Sequence, residues 1–419
     1  MHGFYVTNIF LFYSILFTRF LLNVLIQLIC KKVLNRLNGG MIMRRHLFLY
    51  LASCALVLGS LSFARSINAD EVTPDSVATS TVETTQVNTQ EESKPKVTYD
   101  SANYLSSNLK IIKLKAGTDL YKDEALTKVD HHAKKGSHYL TTKLTQNADG
   151  QPVVKTSSGL YIPAKKSLMV KVKGYQNPKG YHQVHYTQIK PYGKVGYNLS
   201  YGYEGIKTWK VMHRVGTWAG SVFYNSATVN AVRNFQSSHG LKPTGTVDVK
   251  TWTKMGFSKK SWYDIDSYVA PLKAKAWEGR KAHIEAMIKQ AYKYMGKPWL
   301  AGSSSSPAYG LDCSGLVMQA LYAGGISPVP TSSIGHAHPG NEWNSRNLWA
   351  DKKLKTVPYS QRQRGDLVFY YQPGTTTIWH VAIYLGNNMV IESWPPQVMV
   401  QPIVNGQRNV IAGIKRPFI

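Results

Sequence analysis

Cysteine is almost absent from this 419-residue chain, and this restricts how the chain can be stabilised. Cys30 and Cys54 lie in the apolar N-terminal segment, so Cys313 is the only cysteine in the remainder of the chain. A single thiol cannot form an internal disulfide, so the body of the protein must fold without one. Cys313 is therefore either a buried structural residue or a reactive thiol.

The residues around Cys313 predict that it begins a helix. Asp312 is a good N-cap, and apolar residues recur at helical spacing from Leu316 to Leu321 until Gly324 ends the pattern. The first turn of a helix has unpaired N–H groups and the positive end of the dipole, which favour thiolate over thiol. Polar residues flank the cysteine and no apolar run encloses it, which favours a reactive thiol.

A predicted hairpin downstream, residues 379–393, supplies a histidine and a carboxylate. Two runs with period-two alternation are joined there by a Gly-Asn-Asn turn. With Leu385 opposite Met389 across a three-residue loop, His380 and Glu392 are diagonal neighbours on one face, roughly 7–8 Å apart between backbones. The carboxylate could then hold the imidazole tautomer and stabilise the imidazolium that forms when the thiol loses its proton.

Three motifs in this order carry a family resemblance. They are Asp312-Cys313-Ser314-Gly315, Gly365-Asp366-Leu367-Val368-Phe369 and His380-Val381-Ala382-Ile383-Tyr384-Leu385-Gly386-Asn387. Over about residues 280–419 the chain resembles the NlpC/P60 family of papain-like cell-wall cysteine peptidases. The resemblance implies an α+β domain that hydrolyses a peptide bond in peptidoglycan stems, most often between D-glutamate and the following diamino acid.

The resemblance also implies roles for individual residues. Cys313 matches the nucleophile, His380 matches the base, and Glu392 stands where the family usually has a third polar residue, His, Asn or Gln. This departure leaves the identity of the orienting residue open.

Asp312, Ser314 and Trp299 are the predicted substrate contacts. In the family the residue matching Asp312 often binds a free stem amine, but a helix cap alone is an equal alternative here. Trp299 follows Pro298 where the family commonly has Tyr, so contacts at the entrance are expected to differ.

Other histidines do not predict a metal site. His336 and His338 lie in a long insertion rich in Pro, Gly, Ser and Asn, without an accompanying cluster of carboxylates or cysteines. His131 and His132 have the same weakness. No metal or cofactor is predicted.

The N-terminal segment predicts export. Residues 1–69 contain seven Lys or Arg and no Asp or Glu, and Met43 begins a basic head followed by an apolar core, with a cleavage site after Ala69. Residues 1–42 are interpreted as an over-extended gene start, and a membrane span is the alternative. Lipidation at Cys54 is a minor alternative. The protein is predicted to be secreted and associated with the cell wall.

Charge beyond this leader favours an anionic partner. Residues 70–102 form a Ser-, Thr- and Glu-rich spacer that is predicted to be disordered. Without the leader, 43 basic and 23 acidic residues remain. Peptidoglycan and teichoic acids are the expected partners, and solubility alone is the alternative explanation of the charge. Nucleic acid is not expected, because no basic helix or zinc spacing is present.

Two further modules are predicted between spacer and catalytic domain. Residues 103–193 contain short alternating runs and resemble a small wall-associated β-barrel. Residues 196–258 resemble a three-helix peptidoglycan-binding module, with Val229, Val232 and Phe235 as core residues. The whole chain is thus predicted to be a monomeric, multidomain peptidoglycan endopeptidase. The alternatives are an N-acetylmuramoyl-L-alanine amidase and a non-catalytic cell-wall adhesin.

Overall fold

The computed structural model describes residues 99–190, 196–328, 343–404 and 410–419. The predicted leader, almost all of the predicted spacer and the histidines His336 and His338 lie outside these residues. The described chain contains two antiparallel sheets with a group of helices between them in sequence. In this part of the chain, every helix is too short or too polar to span a bilayer.

The first sheet has seven strands within the described residues. They are β1 (Ile111–Leu114), β2 (Thr118–Tyr121), β3 (Val129–Ala133), β4 (His138–Gln146), β5 (Pro152–Thr156), β6 (Tyr161–Pro163) and β7 (Met169–Lys171). Their order is β3-β2-β6-β5-β4-β1-β7, and buried Ile112, Leu120 and Val154 contribute to the core on one face. The edge strands β3 and β7 lie at opposite ends of this order. The sheet is therefore open among the described residues, and the predicted β-barrel is not confirmed.

The helical region follows. Its helices are α1 (Ile206–Arg214), α2 (Ser226–Ser238), α3 (Val249–Lys254) and α4 (Lys259–Asp264). Val232, Trp252 and Trp262 belong to one buried cluster, and Val229 and Phe235 pack against it as partly buried residues. Because α4 contributes Trp262 to this core, the helical core extends beyond residue 258. A self-contained module of three helices stays a prediction.

The C-terminal domain combines helices with the second sheet. Its elements are α5 (Arg280–Tyr292), α6 (Cys313–Gly324), α7 (Ser345–Ala350), β8 (Lys355–Val357), β9 (Leu367–Tyr371), β10 (Ile378–Gly386), β11 (Met389–Trp394), β12 (Gln397–Pro402) and β13 (Ile411–Arg416). The strand order among the described residues is β12-β11-β10-β9-β13-β8. Helix α6 packs against α5 and against this sheet, and Leu316 and Val317 share its main core with Phe369 and Val381. The central strands β9 and β10 are buried on both faces, which fixes their register.

The turn of the β10–β11 hairpin differs from the predicted one. Gly386, not Leu385, pairs with Met389, after a register shift. The prediction of a three-residue loop is therefore wrong. Asn387 and Asn388 form a two-residue turn with φ of 50° and 55°, the left-handed conformation that such turns require and that Asn tolerates. Before the shift the pairing is the predicted one, so the predicted histidine and glutamate remain on one face.

Residues 174–190, here called the strap, follow the first sheet and pack on the C-terminal domain. Val184 is buried in the main core of that domain. The Asn177 side chain donates to the carbonyl oxygen of Pro417 at 2.6 Å and accepts from the backbone N–H of Ile419 at 2.8 Å. The strap therefore belongs structurally to the C-terminal domain.

Candidate active site

Cys313 is the first residue of α6, as the sequence predicts, and Asp312 caps this helix. Asp312 Oδ1 accepts from the Gly315 N–H at 2.8 Å and from the Ser314 hydroxyl at 3.0 Å. Its Oδ2 accepts from the Gly302 N–H at 3.0 Å. The carboxylate thus fixes both the start of the helix and the loop that approaches it, so its capping role is observed directly.

The Cys313 thiol is held in its neutral form. Burial and the neighbouring charge of Asp312 raise its pKa to about 12, although hydrogen bonds from the backbone N–H groups of Val381 and Ser314 act in the opposite direction. The helix start therefore has the predicted sign of effect, but desolvation outweighs it. The expectation that the helix terminus alone makes a thiolate is wrong for this site.

His380 and Glu392 are hydrogen-bonded to each other inside the domain. His380 Nε2 lies 2.8 Å from Glu392 Oε2, and the two side chains are 1% and 0% exposed. The imidazole packs against the rings of Tyr370 and Trp394, with centroid distances of 5.4 and 4.9 Å. The carboxylate and the two rings together restrict the orientation of the imidazole.

The backbone brings this pair to the helix that carries the thiol. The residue after His380, Val381, donates its N–H to the Cys313 sulfur. The residue after the glutamate, Ser393, donates its hydroxyl to the Leu311 carbonyl at 2.7 Å. Both neighbouring strands are therefore fixed to the segment in which the cysteine lies.

A cleft of about 420 Å³ opens at the cysteine. The predicted substrate contacts Trp299, Asp312 and Ser314 line this cleft. Ser314 is buried, and its hydroxyl is bonded to Asp312. Sequence reasoning missed other lining residues, which come from separate parts of the chain: Glu204, Asn344, Ser345, Arg346 and Trp379. No local spacing links them, so only the folded chain identifies them.

The described residues contain no group of three His, Cys, Asp or Glu side chains that could hold a metal ion. His131 and His132 each contact a single aspartate, both at 2.7 Å, on the exposed strand β3. These histidines are therefore explained by pairwise surface contacts.

A cysteine at the start of a helix, packed on an antiparallel sheet that carries a histidine bonded to a buried acid, is the arrangement of a papain-like cysteine peptidase domain. Residues 290–409 match the family model described as NlpC/P60 family, and residues 216–255 match a peptidoglycan-binding domain model. The chain therefore carries an NlpC/P60 domain at its C-terminus. The peptidoglycan endopeptidases of this family are cysteine peptidases. Residues 104–169 match a domain of unknown function, DUF5776.

Curated relatives are similar over the C-terminal part of the chain. The bifunctional muramidase/DL-endopeptidase CwlT of Bacillus subtilis is 34% identical over 131 residues, which cover 30% of this chain and 33% of that protein. The gamma-D-glutamyl-L-lysine dipeptidyl-peptidase of Bacillus subtilis is 28% identical over 139 residues, with coverages of 33% and 41%. The murein DD-endopeptidase MepH of Escherichia coli is 31% identical over 181 residues, with coverages of 42% and 60%. The chain spans less than two thirds of the length of each of these relatives.

Among solved structures, the P60 domain of an antigen from M. avium subspecies paratuberculosis is 26% identical to this chain. The match covers 33% of this chain and 98% of that domain, with a TM-score of 0.24.

Proposed function

We propose that this protein is a secreted, cell-wall-associated endopeptidase that cleaves peptidoglycan stem peptides between D-glutamate and the following diamino acid. Cys313 is the nucleophile, His380 the base and Glu392 the residue that orients the base. The observation that carries this proposal is the juxtaposition of the thiol at the start of α6 with strand β10, whose histidine is bonded to a buried carboxylate. The two matched family models support the same polymer as substrate.

The first half of the proposed reaction forms a thioester. Because the thiol is neutral, its proton passes to His380 as the sulfur attacks the carbonyl carbon of the stem peptide. Nε2 is bonded to Glu392, so Nδ1 is the ring nitrogen that accepts this proton. The carbonyl π electrons move to oxygen, and N–H groups in the first turn of α6 stabilise the oxyanion. Collapse of this intermediate breaks the C–N bond, and the leaving amine takes the proton from the imidazolium.

The second half regenerates the enzyme. A water molecule gives a proton to His380 and attacks the thioester carbonyl carbon, and the C–S bond breaks as the tetrahedral intermediate collapses. The sulfur recovers a proton from the imidazolium and the acyl product leaves as a carboxylic acid. Glu392 stabilises the imidazolium in both halves, because its carboxylate lies within hydrogen-bond distance of the ring.

Wall association is part of the same proposal. The peptidoglycan-binding match at residues 216–255 and the excess of basic residues support binding to the wall and to anionic polymers such as teichoic acid. The signal that begins at Met43 supports secretion. The protein is proposed to act as a monomer.

Digestion of purified peptidoglycan sacculi tests the proposal. Wild type should release fragments whose masses correspond to cleavage after D-glutamate. Cleavage between two D-residues would instead indicate a DD-endopeptidase, and cleavage at the lactyl amide would indicate an amidase. We expect Cys313→Ala and His380→Ala each to lower the rate of release at least about a thousandfold.

Two controls separate catalysis from folding and binding. Exposed His239, which stacks on Phe235 in the helical region, offers a matched histidine variant, and His239→Ala should retain wild-type activity. Cys313→Ala should still sediment with sacculi, and increasing salt should weaken only the electrostatic part of this binding. Retention of most activity by Cys313→Ala would refute the peptidase proposal.

A further inference from the structure

The helical region and the C-terminal domain share a small apolar core beside the catalytic cleft. Ile206 of α1, Val222 and Ile265 are buried in one cluster with Leu300 of the C-terminal domain. The Gly205 N–H donates to the Ala301 carbonyl at 2.9 Å across the same junction. The residues that precede α1 are therefore fixed against the loop that borders the cleft.

A buried ion pair anchors α1 immediately after this junction. Lys207 Nζ lies 3.0 Å from Asp266 Oδ2, and the two side chains are 0% and 1% exposed. The Lys207 ammonium also lies 4.2 Å from the centroid of the Tyr197 ring, and the Tyr197 hydroxyl donates to Asp266. The first turn of α1 is held by these contacts, so the residues before it have a defined position.

Glu204 is the residue that this arrangement places in the cleft. It lies two residues before α1, is exposed, and lines the same cleft as Cys313. A Cβ built on Gly302 would lie 3.0 Å from the Glu204 Cβ and 3.5 Å from its Oε2, so the glutamate packs directly over this glycine. The Gly302 N–H is in turn bonded to Asp312. The helical region thus contributes a carboxylate to the wall of the catalytic cleft.

The charges along the cleft favour a substrate that carries an ammonium group. Both carboxylate oxygens of Asp312 accept hydrogen bonds that hold α6 and its preceding loop. Glu204 adds a second, exposed carboxylate to the cleft wall. Arg346 of α7 lines the same cleft with a positive charge. A cleft with a carboxylate and a guanidinium complements a peptide that carries both an amine and a carboxylate.

We propose that Glu204 is a specificity-determining residue, whose carboxylate accepts an ammonium group of the stem peptide when the scissile bond lies at Cys313. The inference rests on the proposed peptidase function and adds that the helical region forms part of the active site. The ammonium group can be the free amino terminus of the stem or the side-chain amine of its diamino acid. These two sources share one chemistry and can be separated experimentally.

The test compares full-length wild type, Glu204→Gln and a matched control on the synthetic peptide L-Ala-γ-D-Glu-L-Lys-D-Ala. Asp264→Asn is the control, because it removes the same charge from the helical region at an exposed residue that does not line the cleft. Two further substrates carry an acetyl group on the amino terminus or on the lysine side chain. We expect Glu204→Gln to lower kcat/KM on the free peptide about tenfold to a hundredfold, mainly through KM, the loss of one charge-assisted hydrogen bond.

Acetylation of the amine that Glu204 binds should lower wild-type kcat/KM by a similar factor and remove the difference between wild type and Glu204→Gln. The other acetylated peptide should preserve that difference, and Asp264→Asn should match wild type on all three substrates. An equal effect of Glu204→Gln on all three peptides, or no effect on any of them, would overturn the inference.

A binding measurement keeps this test independent of turnover. The free peptide is titrated calorimetrically into full-length Cys313→Ala and into Cys313→Ala/Glu204→Gln. Weaker binding to the double variant supports the role of Glu204 even if wild type fails to cleave the peptide, an outcome that would count against the proposed function alone. Equal affinity for the two variants would exclude binding of the ammonium group by Glu204.

Discussion

Substitution of Glu392 tests how the buried carboxylate supports the base. The 2.8 Å bond joins two side chains that are at most 1% exposed, so water cannot replace either partner. Glu392→Gln keeps an acceptor for the imidazole N–H and removes the negative charge. Glu392→Ala removes the acceptor and leaves a buried ring nitrogen without that partner.

The two variants should differ in magnitude. A hydrogen bond to a charged group contributes about 1.5–3 kcal/mol and a neutral one about 0.5–1.5 kcal/mol, so Glu392→Gln should cost about 1–1.5 kcal/mol in transition-state stabilisation. That corresponds to about a tenfold loss of kcat/KM. Glu392→Ala loses the whole bond and adds about 1–3 kcal/mol for the unsatisfied nitrogen, which corresponds to about a 10²- to 10⁴-fold loss.

The assay is kcat/KM on a stem peptide as a function of pH. The acid limb of the profile should move to lower pH in Glu392→Gln, because the imidazolium loses the negative charge that stabilises it. The matched control is Glu285→Gln, which removes a surface partner of Arg364 and should leave the profile unchanged. Coinciding profiles for wild type, Glu392→Gln and Glu392→Ala would refute the orienting role.

Two further predictions follow from buried charge. The thiol of Cys313, with its pKa raised to about 12 by burial and Asp312, should react very slowly with iodoacetamide at pH 7 in His380→Ala, and the rate should rise about tenfold per pH unit into the alkaline range. A plateau near pH 8.5 would contradict the raised pKa. Lys207→Met should lower the free energy of unfolding by about 3–5 kcal/mol, because Asp266 remains charged and buried. In urea titrations followed by tryptophan fluorescence, Lys207→Met/Asp266→Leu should recover most of this loss, and an equally unstable double variant would argue against the charge explanation.

Local patterns were sufficient to predict the central elements of the site. The N-cap and helical spacing around Cys313 depend on neighbouring residues, and the faces of His380 and Glu392 depend on the period of two along a strand. Glu204 carried no such signal, because its place in the cleft depends on packing between Ile206 and Leu300, far apart in sequence. Sheet closure and the register shift likewise depend on long-range pairing. The sign of the thiol pKa depends on burial, which no motif records.

The strap changes which part of this protein can be exchanged as a unit. A gene fusion that joins the catalytic domain to a new partner at residue 280 would leave Val184 and Asn177 behind, removing a core side chain and the hydrogen bonds to Pro417 and Ile419. The helices would be left behind as well, although Ile206 shares a core with Leu300. A recombination boundary between Lys171 and the strap avoids both losses. The first sheet is therefore the module that evolution or protein engineering can replace with least disturbance to the remainder.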